Sequence, residues 1–224
     1  MASADERSKT MKIGIIGAGN VGGTLGTRLA ASGHKVVFAS RTPDSEKMKQ
    51  LVAEAGPSAS AGPVAAAAAA SDVLLLSTPW PAAEEALKDC GDITGKIVID
   101  ATNPLLPGLD GLSFGTTTSA GEKVGAWATG ARVVKAFNTV GYNIMADPGF
   151  DGGRVTMFYC GDDPPAKSVV KGLIEELGFE AIDAGPLKQS RLLEPFALLW
   201  ITLAYAQGFG REIGFGFLRR GVHG

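Results

Sequence analysis

The stretch Lys12–Gly22, KIGIIGAGNVG, decides how the rest of the chain reads. Lys12–Ile16 is a short apolar run with the length and composition of a buried strand. It ends at Gly17-Ala18-Gly19-Asn20-Val21-Gly22, which opens Val21–Ala31, where Leu25 and Leu29 stand at helical spacing and Gly33 stops the helix. A lone G-x-G-x-x-G is a weak signal, but between a strand and a helix it reads as a dinucleotide-binding turn. Gly17 permits the tight turn, Gly19 lets backbone approach a pyrophosphate, and Gly22 lets helix pack on strand. The helix amides then face the negative charge. A glycine-rich turn that holds no nucleotide is the competing reading.

Outward from this turn, strand-like and helix-like segments alternate, which predicts an α/β Rossmann fold: a doubly wound, mostly parallel sheet. Strands are expected at Lys35–Ala39, Val73–Ser77, Lys96–Asp100 and Arg132–Ala136. Helices are expected from a cap at Asp44 to Ala55, over Val64–Ala70, and from Pro81 to Asp89. Ser119 and Glu122 have capping-box spacing after the loop Leu105–Thr118. Beyond the loop Asn138–Gly153, a small C-terminal α/β extension follows. It holds strand Val155–Cys160, helix Pro164–Leu177 capped by Asp162 or Asp163, strand Glu180–Asp183, and an apolar helix Pro195–Gln207. The expected division is a tail over 1–10, an NADP-binding domain over 11–140, and a C-terminal region over 141–224.

The second strand chooses the cofactor. An NAD site ends that strand in an acid that holds the ribose 2′-hydroxyl. Here it ends Ala39-Ser40-Arg41-Thr42, and Lys47 follows on the next helix. Ser40, Arg41 and Lys47 attract a 2′-phosphate that a carboxylate would repel, so NADP(H) is expected. Arg41 and Lys47 as solvated surface charges is the plainer alternative. The segments Ser77-Thr78-Pro79-Trp80 and Ala101-Thr102-Asn103-Pro104 fall beyond strand ends, where ligands sit in open α/β sheets. Trp80 reads equally as core packing or as part of a ring pocket.

Composition narrows the rest. The 224 residues carry a net charge of −2, with Lys and Arg dispersed, which argues against nucleic acid or an anionic membrane as the main partner. The longest apolar run, Pro195–Ala206, is about half of the roughly 20 residues a membrane helix needs. The opening MASADERSKT lacks the apolar core of a signal peptide, so cytoplasmic residence is expected. Cys90 and Cys160 stand far apart in no metal motif, and no metal site is expected.

Beyond the glycine turn and the Ser40-Arg41 pair, the chain carries the runs Val134-Lys135-Ala136-Phe137-Asn138-Thr139, Cys160-Gly161-Asp162-Asp163 and Asp183-Ala184-Gly185-Pro186-Leu187. Ser190-Arg191-Leu192-Leu193-Glu194 follows. With these, the chain resembles the coenzyme F420-dependent NADP oxidoreductases from Met11 to Arg220. Around Lys135–Asn138 it is also similar to the NADPH-binding part of six-transmembrane metalloreductases. The resemblance implies hydride transfer between NADP(H) and a deazaflavin (F420) or a flavin such as FMN or FAD. It implies Gly19, Asn20 and Val21 at the pyrophosphate and Ser40, Arg41 and Lys47 at the 2′-phosphate. Ser77 and Asn103 would lie along the cofactor, with Thr78 and Pro79 beside them, and the Phe137–Gly141 segment beside the nicotinamide. A homodimer whose C-terminal parts help form the acceptor pocket is implied as well. Asn138 departs from the histidine expected in archaeal members.

The residues offer little acid–base chemistry. His34 lies in a turn remote from the strand ends, and His223 is almost the last residue. Both are expected at the surface. Lys135 on an apolar strand either points to solvent, pairs with an acid, or is catalytic. Carbonyl reduction needs a positioned proton donor, whereas hydride transfer between two rings needs mainly alignment. Asn138 and Thr139 are therefore expected to orient the rings. Three other readings stay open. The β-hydroxyacid and imino-acid reductases share the glycine turn, although roughly 85 residues after Thr139 leave little room for their helical domain. A non-catalytic NADPH-sensing module and a ferric or cupric reductase working through free flavin are the other two.

Overall fold

A computed structural model describes residues 10–220. Residues 1–9 of the tail expected over 1–10, and His223, lie outside the described residues. The sheet has eight strands in the order β3-β2-β1-β4-β5-β6-β9-β10. These are β1 Lys12–Ile16, β2 Lys35–Ala39, β3 Ala59–Gly62, β4 Val73–Leu76, β5 Ile97–Asp100, β6 Arg132–Lys135, β9 Thr156–Gly161 and β10 Glu180–Asp183. Six run parallel from β3 to β6, and β9 joins β6 antiparallel, with Lys135 opposite Cys160. The chain leaves β2–β3 on one side of β1 and returns to β4 on the other. The β1/β4 boundary is therefore the switch point, where a crevice opens beyond the carboxyl ends of the strands.

Alternate residues of the central strands feed two cores, which explains their unbroken apolar sequence. Val73 and Leu75 of β4, with Ile97 and Ile99 of β5, face α1 (Asn20–Ala31), α2 (Glu46–Ala55) and α7 (Pro164–Glu176). Leu74, Leu76 and Val98 face α3 (Val64–Ala69), α4 (Ala83–Asp89) and α5 (Ala120–Trp127). The second core is continued by Trp80, whose ring stacks on Trp127 at 5.2 Å and meets Phe114 edge-on at 5.4 Å. Trp80 thus pins the 105–118 loop to α5.

The structure departs from the sequence reading in four places. Ala59–Gly62 forms the edge strand β3, although it lacks the branched and aromatic residues that favour strands. It is held by parallel pairing with β2. Part of the expected loop Asn138–Gly153 folds as α6 (Tyr142–Ala146) and the short hairpin β7 (Gly149–Phe150) with β8 (Gly153–Arg154). The last helix, α8, runs Ser190–Ile201 and continues as a π-turn over Thr202–Ala206, with Pro195 inside it rather than opening it. Its early start is secured by long-range bonds made by Arg191, Leu193 and Glu194.

Finally, His34 is buried rather than at the surface. Its Nδ1 accepts from the Met11 amide at 3.2 Å and its Nε2 lies 3.1 Å from Glu176 Oε2, tying the start of β1 to α7. Buried polar groups are held by such partners, and no local sequence pattern announces a contact spanning most of the chain.

Candidate functional site

The glycine turn is shaped by contact rather than by composition. Gly17 has φ +103°, a region where a side chain is strained, and a Cβ there would meet the Thr78 amide at 2.8 Å. A Cβ on Gly22 would collide with the Gly17 carbonyl and the Ser77 hydroxyl. Gly19 has open space around it, room for a ligand to approach the backbone. Ser77 Oγ donates to the Gly17 carbonyl at 2.8 Å, so this hydroxyl braces the turn from behind. No side chain caps α1 and no acid stands in its first turn. Its leading amides are therefore left for an anion. Gly22→Ala is expected to cost about 1–3 kcal/mol of stability through overpacking. Thermal unfolding measures this, and an unchanged midpoint would count against the close approach.

Beyond β1 and β2 lies a cleft of about 330 Å³. Gly17, Ser40, Arg41, Lys47 and Thr78 line it together, although they come from four separate segments. Ser40 Oγ accepts from the Thr42 amide at 3.0 Å, which holds the turn that presents Arg41. Arg41 and Lys47 form no ion pair among the described residues, and both are exposed. Lys47 also borders the neighbouring groove over Gly19 and Asn20, so one side chain lines both hollows. Among the lining residues that escaped sequence reasoning are Thr42, Ser45, and the α4 acids Glu85 and Asp89; Ser45 is the N-cap of α2 with its side chain free of a cap bond. The signal was present in the hydroxyl-rich run after β2, but only the fold turns it toward the cleft. Pro79 is exposed, and Val21 packs partly against the first core.

At the ends of β5 and β6, Asn103 and Asn138 pair through their amides. Asn103 Nδ2 donates to the Asn138 carbonyl at 2.8 Å, and Asn138 Nδ2 donates to Asn103 Oδ1 at 3.0 Å and to the Leu193 carbonyl at 3.2 Å. Asn138 is 5% exposed, yet among the described residues its Oδ1 has no hydrogen-bond partner. A buried acceptor left unpaired costs free energy that a ligand's donor recovers. The neighbouring candidates do not converge here. Thr139 is buried and turns its hydroxyl toward Met157 Sδ at 3.7 Å. Phe137, at φ +61°, sends its ring into the core beside Phe179, and Gly141 lies against Trp200, where a Cβ would come within 2.6 Å.

Behind the asparagine pair sits a charge cluster the sequence showed only in part. Lys135 is fully buried, 2.7 Å from Asp100 Oδ2 and 3.0 Å from Glu194 Oε1, and it donates to the Thr102 carbonyl at 2.8 Å. Burial pulls its pKa down, but the two carboxylates outweigh burial and hold it above the ordinary lysine value. Of the three readings open for Lys135, burial selects pairing with an acid. That the second acid is Glu194, on α8, was not legible. Burial pushes the thiol of Cys160 up to about 11, which makes it an inert core sulfhydryl.

The family described as NADP oxidoreductase, coenzyme F420-dependent, matches residues 12–104, from β1 through the Asn103 turn. The F420-dependent NADP reductase of Methanocaldococcus jannaschii is 31% identical over 208 residues, covering 86% of this chain and 92% of that protein. The chain belongs to this family. A solved structure from Arthrobacter sp. FB24, described as a candidate F420-dependent NADP-reductase, is 32% identical, with a TM-score of 0.85 over 93% of this chain and all of that one. The rat metalloreductase STEAP3 is 29% identical over 197 residues, and the chain spans only 38% of its length. Family membership makes the chain an NADP-dependent oxidoreductase with a Rossmann-type fold. The cleft carries two cations, Arg41 and Lys47, beside two acids, Glu85 and Asp89, and no acid stands at the end of β2 itself.

Proposed function

We propose that the chain transfers hydride between NADP(H) and a deazaflavin or flavin ring. The observation that carries this reading is the unpartnered Oδ1 of buried Asn138, on the same carboxyl edge of the sheet as the cleft that Arg41 and Lys47 line. Gly19, Asn20 and Val21 bind the pyrophosphate at the start of α1. Ser40, Arg41 and Lys47 grip the 2′-phosphate, and Asn138 Oδ1 accepts from the nicotinamide amide. When bound, the dinucleotide supplies two electrons as hydride, and the acceptor ring takes up that hydride with one proton from water. The protein's part is alignment, with Asn103 fixing Asn138 and the Thr139 anchor holding the segment's backbone.

The region 141–224 contributes the acceptor pocket and the interface of a homodimer. Register supports this, because Lys135 lies opposite Cys160 and the first residues of β9 therefore rise past the end of β6. Leu199, Tyr205 and Phe209 are exposed along α8 and the segment after it. A cytoplasmic location accords with this reading, and among the described residues no helix is long and apolar enough to cross a membrane.

The test is NADPH oxidation by the purified protein with F420, FMN, FAD and riboflavin in parallel. Turnover with F420 alone identifies a deazaflavin reductase, and turnover with ordinary flavins alone identifies a flavin reductase. Tight NADPH binding without turnover on any acceptor overturns the catalytic reading in favour of a sensing module. The likeness to STEAP3 supports a second reading, ferric or cupric reduction by the flavin product, tested by adding chelated iron to the flavin assay. Asn138→Ala is expected to weaken NADPH binding about fivefold to tenfold, the loss of one buried hydrogen bond. Unchanged affinity and hydride transfer in that variant would remove Asn138 from the site.

A further inference from the structure

The hydrogen bonds around Lys135 form a closed circuit with the asparagine pair. Asp100 Oδ1 accepts from the Thr102 amide at 2.9 Å and the Thr102 hydroxyl at 2.7 Å, while Lys135 takes the Thr102 carbonyl. Thr102 is thus held at all three of its polar groups, and Asn103 follows it directly. Asn103 holds Asn138, Asn138 holds the Leu193 carbonyl, and the next residue, Glu194, returns to Lys135. Glu194 also accepts from the Ala120 and Gly121 amides at 2.9 and 3.0 Å, at the start of α5. Asp100, Lys135 and Glu194 are each no more than 1% exposed. The circuit joins β5, β6, α5 and α8. Among its side-chain atoms, Asn138 Oδ1 alone is buried without a partner.

The circuit also orients that atom. Both hydrogens of Asn138 Nδ2 are claimed by acceptors, Asn103 Oδ1 and the Leu193 carbonyl, so the amide cannot flip without setting oxygen against oxygen. The Leu193 acceptor belongs to α8, whose first turns are tied to the sheet through Glu194. We infer that Glu194, acting through Lys135 and Leu193, is a positioning residue for the nicotinamide end of the site. It is one that touches neither cofactor nor acceptor. The inference rests on the proposed role of Asn138.

Glu194→Gln keeps the shape but turns an NH2 toward donors that now share a carboxylate, so at least one arm of the circuit lets go. The readout is the ratio of affinities for NADPH and for 2′-phospho-ADP-ribose, which lacks the nicotinamide. A merely structural loss lowers both together. The ratio is expected to fall about fivefold to tenfold in Glu194→Gln, equally in Asn138→Ala, and no further in the double variant. An unchanged ratio in Glu194→Gln with a lowered one in Asn138→Ala overturns the inference and leaves the Asn138 role standing. A ratio unchanged in both removes the role and the inference together. If Glu194→Gln does not fold, Glu194→Asp keeps the charge and shortens its reach to Lys135 and the α5 amides. The expected drop is then about twofold to threefold, and an unchanged ratio overturns the inference.

Discussion

Replacing Lys135 with methionine is expected to destabilise the protein by about 3–5 kcal/mol, the largest loss foreseen for a single substitution. The variant leaves Asp100 and Glu194 facing each other with no cation, in a site with no access to water. Removing one partner of a buried ion cluster exposes the remaining charges to the full cost of their desolvation. The α5 amides at Ala120 and Gly121 still solvate Glu194, and the Thr102 amide and hydroxyl still solvate Asp100, so folding survives at reduced stability. Urea unfolding gives the difference directly, and a loss under about 1 kcal/mol would show the cluster to be energetically idle. The wild-type protein carries a matching pH signature. The folded pKa of Lys135 lies above that of the unfolded chain, so its contribution is complete below about pH 10. It fades as pH rises through the folded value. The methionine variant lacks that alkaline loss.

Arg41→Ala is expected to weaken NADP+ binding by roughly tenfold to a hundredfold while leaving NAD+ affinity nearly unchanged. A hydrogen bond to a charged group contributes about 1.5–3 kcal/mol, and each 1.4 kcal/mol is tenfold in affinity. Arg41 has no acidic partner among the described residues to release, so the measured change reports the phosphate contact. Calorimetric titration with both dinucleotides separates the outcomes. Equal weakening of both would place Arg41 elsewhere on the cofactor, and no change in either would make it a solvated surface charge. The wild-type preference for NADP+ is also expected to shrink as salt rises, because exposed cations are screened over about 10 Å at moderate ionic strength.

The order of strands and helices around the glycine turn was legible because parallel strands buried on both faces read as apolar runs, as in VLLL and the IVI of β5. The class of cofactor was legible too. Ser40 and Arg41 stand where an NAD enzyme carries an acid, and the chemistry of a phosphate is local to a few side chains. An acid partner for Lys135 was one of three readings the sequence left open, and its burial decided for it, since a buried ammonium cannot stay unpaired.

What the sequence could not carry were the contacts whose partners are far apart in the chain. Glu194 reads as one charge near a proline, and becomes the counter-ion of Lys135 only when α8 crosses the ends of β5 and β6. His34 reads as a turn residue and is buried because α7 brings Glu176 to it. The edge strand Ala59–Gly62 has no strand propensity of its own and exists because β2 offers it a ladder. Local patterning set the central strands, most helices and the glycine turn, because those choices depend on neighbours within a few residues. Tertiary structure alone decided which charges are buried together and which amide oxygen is left without a partner, because both follow from packing between distant segments.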